Sequence, residues 1–133
     1  MLNPFPQLLI FGFYAPTLLR LAAAGAFFYL GVSHFKYKKE VAHEISILPP
    51  TVAVWGTGIF IVVEFAIAVL LFLGLWTQIA ALIGLIICLK IFLIKKGLRH
   101  LSPLSHLSYI LLGVICFSLL FSGAGAIAID LPL

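Results

Sequence analysis

The chain carries four long apolar runs with little between them, over residues 16–36, 51–73, 77–95 and 103–122. Each is about 19–23 residues long, the length a helix rising 1.5 Å per residue needs to cross a ~30 Å hydrocarbon core. The intervals are too short for a soluble domain. Of 133 residues, 64% are hydrophobic and 9% charged, and the mean hydropathy is +1.27. A soluble domain of this size needs far more polar surface. In lipid a spanning segment must satisfy its own backbone groups, which a helix does. The pattern predicts a single all-α domain over residues 1–133, an integral membrane four-helix bundle with antiparallel, up-down-up-down topology.

The punctuation fits these limits. Pro16 and Pro103 suit the first turn of a helix, where a missing N–H costs nothing. Ser102 is a candidate N-cap before Pro103. Pro49 and Pro50 close the first loop, and "GLWT" (Gly74 to Thr77) reads as a tight turn with Trp76 at interface depth. Gly123 is a natural C-cap for the last span. The stretch before Pro16 is apolar but broken by Pro4 and Pro6, and is expected to lie along the interface as a short lead-in. It has no basic region or small-residue cleavage site, so it is not read as a removed signal peptide.

Charge sets the expected orientation. The net charge of +4 is concentrated in two loops: Lys36, Lys38 and Lys39 in one, Lys95, Lys96 and Arg99 in the other. Four crossings put both loops on one side, so topology explains the charge and nucleic acid is not an expected partner. The positive-inside rule predicts a multi-pass protein of the cytoplasmic membrane, with loops 36–50 and 95–102 inside and both termini outside.

Three charged residues fall within the spans: Arg20, Glu64 and Lys90. Each costs roughly 2.5–3.5 kcal/mol at a helix centre on insertion scales. Lys90 is near the inner end of its span, and its stem can carry the ammonium to the interface. Arg20 lies about one turn below the outer end of the first span and Glu64 about nine residues below the outer end of the second; the two runs are joined by a short connection, and the two side chains are expected to pair. Gln78 opens the third span on the same side, and Asp130 follows the fourth by about two turns. Arg20, Glu64, Gln78 and Asp130 therefore form the candidate polar or ligand site, in the outer half of the bundle. Two readings stand: an ionic clasp that fixes helix register, and a pocket that binds or protonates a ligand.

A secondary inner-face group comprises His34, Lys90 and His106, with His100, Ser105 and Tyr109 nearby. The histidine spacings match no metal or haem pattern, so no metal site is expected. These histidines read as interfacial hydrogen-bonding groups, and His43 as solvated. Cys88 and Cys116 lie singly in apolar runs without a C-x-x-C pair, and read as buried apolar thiols. "GAGA" (Gly123 to Ala126) follows no strand and fails the context test for a phosphate loop. The small residues Ala22 to Ala26, Gly56 and Gly58 let helices approach closely.

Three stretches taken together resemble the DoxX family of small four-helix membrane proteins. The first is Arg20 in "LLRLAAAGAFFYLG". The second is Glu64 followed by "LLFLGLWTQIAAL" (Leu70 to Leu82). The third is the ending "GAGAIAID", with Asp130 as its terminal aspartate. The resemblance departs where the family often has Pro, a basic residue and Ser in that ending; here Ala124, Ala126 and Ala128 stand in those places. The resemblance implies a membrane subunit associated with sulfur or thiol oxidoreduction, in some members part of a thiosulfate:quinone oxidoreductase.

Two functions follow as expectations. In one, the chain is a subunit of a quinone-linked oxidoreductase. Arg20 and Glu64 then line a pocket for a quinone headgroup or a sulfur oxyanion, and a soluble or membrane partner subunit supplies the electrons, because the chain has no cofactor-ligand motif. In the other, it is a non-enzymatic scaffold or assembly factor, or a small transporter working as a homo-oligomer.

Overall fold

A computed structural model describes residues 12, 14–44, 50–93, 102–123 and 125. Among these the chain is all-helical, with helices α1 (Ala15–Lys36), α2 (Lys38–Glu44), α3 (Pro50–Leu73), α4 (Thr77–Leu93) and α5 (His106–Ser122). The four expected spans correspond to α1, α3, α4 and α5. Two of them, α1 and residues 51–73 of α3, are long and apolar enough to cross a membrane; α4 and α5 are apolar and shorter. The N-terminal lead-in, Asp130, His100 and the basic residues Lys95, Lys96 and Arg99 lie outside the described residues.

Helix ends follow local chemistry. Pro16 occupies the first turn of α1, and α3 begins on Pro50. The turn from α3 to α4 places Gly74 at φ 70° and Trp76 at φ 46°. The second is a left-handed value that a bulky aromatic adopts only under constraint. The Leu75 N–H donates to the Leu70 carbonyl at 3.0 Å, closing the end of α3. Gly123 caps α5 at φ 71°, its N–H donating to the Leu119 carbonyl.

Two expectations need correction. α5 begins at His106, not at Pro103. Its N-cap is Ser105, whose hydroxyl accepts from the Ser108 N–H at 3.2 Å. Ser102 is not that cap: its hydroxyl donates to the Leu104 carbonyl at 3.5 Å. The serine that satisfies an orphan N–H of the first turn sets the start, three residues past the proline. The first loop is also more ordered than expected. It contains α2, which packs on α3 and buries Val41 and Ala42.

α1 packs against α3 and α5, and α4 against α5 and α3. Phe28 meets Phe65 edge-on at 5.6 Å, and further along α1 the His34 ring lies 5.5 Å from Phe60, so α1 and α3 run antiparallel. α4 and α5 do the same: Gln78 reaches Leu120 at one end and Phe92 meets His106 at the other. Three helices converge at Gly84. A Cβ there would stand 2.8 Å from Phe27 Cζ and 3.3 Å from Cys116 Sγ.

The polarity of this packing is inverted relative to a water-soluble protein. Arg20, His34 and Glu64 are buried, while Leu18, Trp55, Leu93 and Phe121 are 67–78% exposed. A soluble protein rarely exposes apolar side chains on this scale, whereas a lipid-facing surface needs them.

Candidate functional site

The stripe of α1 that faces inward carries Arg20, Ala23, Phe27, Leu30 and His34, at three- and four-residue spacing. The inward stripe of α3 carries Thr57, Ile61, Glu64, Ile67 and Leu71. Helical periodicity thus aims both polar stripes at the same core. Where they meet, His34 Nδ1 and Glu64 Oε2 share a hydrogen bond of 2.7 Å, and both side chains are 0% exposed. With an ionised carboxylate as acceptor, the imidazole N–H donates.

The expected contact between Arg20 and Glu64 is not formed. Glu64 Oε2 is taken by His34, and Oε1 has no hydrogen-bond partner among the described residues. Axial stagger is the reason. Arg20 precedes His34 by fourteen residues on α1, so the antiparallel register that sets His34 against Glu64 places the level of Arg20 about fourteen residues further along the chain direction, past the end of α3. That is ~21 Å from Glu64 at helical rise. The expected site is therefore divided. Glu64 joins His34 from the secondary group, and Arg20 sits near the turn end of the molecule.

Arg20 is 2% exposed and lies one turn from Thr17. Gly125 presses on the same place: a Cβ there would stand 2.7 Å from Thr17 Oγ1 and 2.9 Å from its backbone N, at φ 78°. The chain after α5 thus returns to the start of α1. Asp130 lies outside the described residues. Gln78 is exposed, its Nε2 donating to the Leu120 carbonyl at 3.3 Å.

Of the remaining candidates, the Lys90 side chain is exposed and His106 is half-buried, edge-on to Phe92. Tyr109 is buried on the α5 side, near Leu104 and Ser102, but its hydroxyl makes no hydrogen bond of good geometry among the described residues. No group of three or more His, Cys, Asp or Glu side chains suited to a metal occurs among the described residues.

The structure also buries Cys88 and Cys116 in the same α4–α5 contact: Cys88 Cβ lies 3.8 Å from the place a Gly113 Cβ would occupy, and Cys116 Sγ 3.3 Å from that of Gly84. No sequence spacing signals this, because the two are brought together only by the register of α4 on α5. The His34–Glu64 pair was equally hidden, since the two are thirty residues apart.

A family model, DoxX, matches residues 15–97. That segment contains Arg20, His34, Glu64, Gln78 and Lys90 and ends before α5, so the "GAGAIAID" ending lies beyond it. No curated protein and no solved structure matches the chain. With well over half its length matched and an apolar helical exterior to go with it, the chain belongs to the DoxX family of membrane proteins.

Proposed function

We propose that the protein is the membrane subunit of a redox complex linked to a quinone or to sulfur and thiol chemistry, and that His34 and Glu64 handle its proton. The observation that carries this reading is the 2.7 Å His34–Glu64 hydrogen bond at zero exposure. Ionisable groups inside a membrane protein are costly and mark proton or ligand paths by default. Glu64 Oε1, buried and without a hydrogen-bond partner among the described residues, is the acceptor that a hydroxyl of a quinol headgroup would need. A quinone takes up two electrons and two protons on reduction. The contribution of this chain is to hold a proton between Nδ1 and Oε2 and to exclude water around it. Electrons come from a partner subunit.

In this reading the four longer helices form an antiparallel bundle across the cytoplasmic membrane, with the first and third loops inside and both termini outside. Arg20 and Gln78, toward the turn end and apart from the pair, would offer N–H donors to an anionic group such as a sulfur oxyanion. A homo-oligomer or a docked oxidoreductase subunit covers part of the apolar exterior.

A second reading is favoured by the complete enclosure of the pair. A clasp that fixes the register of α1 on α3 needs no access, and a scaffold or assembly role follows. One experiment separates the two: purification from native membranes with identification of co-purifying protein and quinone, followed by the quinone-dependent rate of the complex. Glu64→Gln keeps the side-chain shape and removes the carboxylate. If the pair handles a proton, a folded Glu64→Gln complex loses roughly 10²-fold in rate. An unchanged rate leaves the clasp.

A further inference from the structure

A groove of about 690 Å³ runs between the α1–α2 corner and the first half of α3, on the outside of the helix packing. Its walls include Phe35, Trp55, Gly58, Ile59 and Val62, and the cationic side chain on its lining is Lys38. The volume falls within the ~300–1,000 Å³ typical of small-molecule sites. Among the neighbouring lysines, Lys36 and Lys39 are exposed, and Lys36 lies 5.5 Å from the Tyr37 ring. Lys38 is different: it is half-buried and laid over Gly58, its Nζ 3.3 Å from the place a Gly58 Cβ would occupy. The missing side chain at residue 58 makes room for the ammonium. At the rim Trp55 is 77% exposed, with the amphipathic ring suited to a membrane–water boundary.

We propose that this groove binds a phospholipid with a net negative headgroup, its phosphate on Lys38 and one acyl chain along Ile59 and Val62. Charge and polarity select this occupant. The wall is almost wholly apolar, which suits a hydrocarbon chain and offers nothing to a polar solute. The one ammonium at the α2 end suits a phosphate and repels a cationic ligand. Glu40, two residues further along α2, is exposed. The amphiphile would thus be held where a helical corner meets the bilayer boundary, with its charge at the level of α2 and its tail against α3.

The test is native mass spectrometry of the full-length protein in detergent, titrated in parallel with an anionic phosphatidylglycerol and a zwitterionic phosphatidylcholine of equal chain length. The wild type is expected to retain one anionic lipid about fivefold more tightly than the zwitterionic one, the value of one lysine near a charged headgroup. Lys38→Gln should abolish that preference, and Lys39→Gln should leave it intact. Gly58→Leu fills the groove while keeping the charge, and should weaken both lipids. Circular dichroism and gel filtration confirm the fold of each variant; a variant that fails them is replaced by Gly58→Val or Lys38→Met. Equal retention of the two lipids by the wild type overturns the proposal, as does an unchanged anionic preference in folded Lys38→Gln.

Discussion

His34 near the end of α1 and Glu64 in the middle of α3 hold each other at 2.7 Å with no solvent access to either. Both lie on the inward stripe of their helices, in a core otherwise built from residues such as Phe27, Leu30, Leu71 and Leu119. A hydrogen-bonded polar pair in such surroundings is tolerated only together: removing one member strands the other, which costs more than replacing both.

Glu64→Ala is therefore expected to destabilise the protein by about 2–4 kcal/mol, because it leaves the His34 imidazole buried without its acceptor. Thermal unfolding in detergent, followed by circular dichroism, checks this. A melting curve that overlays the wild type would mean that the pair contributes nothing to stability.

Arg20 and Glu64 should behave as independent sites. With about 21 Å of helical rise between their levels, the changes Arg20→Met and Glu64→Leu are expected to add within about 0.5 kcal/mol when combined. The same unfolding measurement on both single variants and the double variant decides it. A coupling well above that value would bring the two side chains together.

The start of α5 is testable through its cap. Ser105→Ala removes the acceptor for the Ser108 N–H and should cost about 1 kcal/mol. Ser102→Ala should cost measurably less. Hydrogen exchange at the first amides of α5 reports the same difference locally, with faster exchange in the Ser105 variant alone.

Gly84→Ala should destabilise by about 1–3 kcal/mol through overpacking. Its Cβ would meet the enclosed ring of Phe27 on one side and Cys116 Sγ on the other. Phe27→Leu in the same chain should recover part of the loss. If Gly84→Ala is neutral, α1 and α4 are not in close contact at this level.

Much of the fold was legible because its determinants are local. The apolar runs, Pro16, the Gly74–Trp76 turn and the Gly123 cap each act within a few residues, and each lies where the pattern puts it. The Ser102–Pro103 start signal misled because a serine further along, Ser105, offers the better cap. α2 was missed because seven residues, "KKEVAHE", carry too short a pattern to distinguish helix from loop. The site was only half legible. The sequence identifies Glu64 as needing a partner, but which partner depends on how far α1 slides along α3. Hydropathy is blind to that sliding. Measured from the shared turn end, Arg20 looked near Glu64; in the packed register, His34 stands against it.

The most direct test is a double-mutant cycle on His34 and Glu64, using His34→Phe, Glu64→Leu and the combined variant. Unfolding free energies would be compared in one lipid or detergent condition. If the two side chains form a mutually dependent buried pair, the double variant recovers much of the single losses, and the coupling energy is at least about 1 kcal/mol. Losses that simply add, within about 0.3–0.5 kcal/mol, would contradict it.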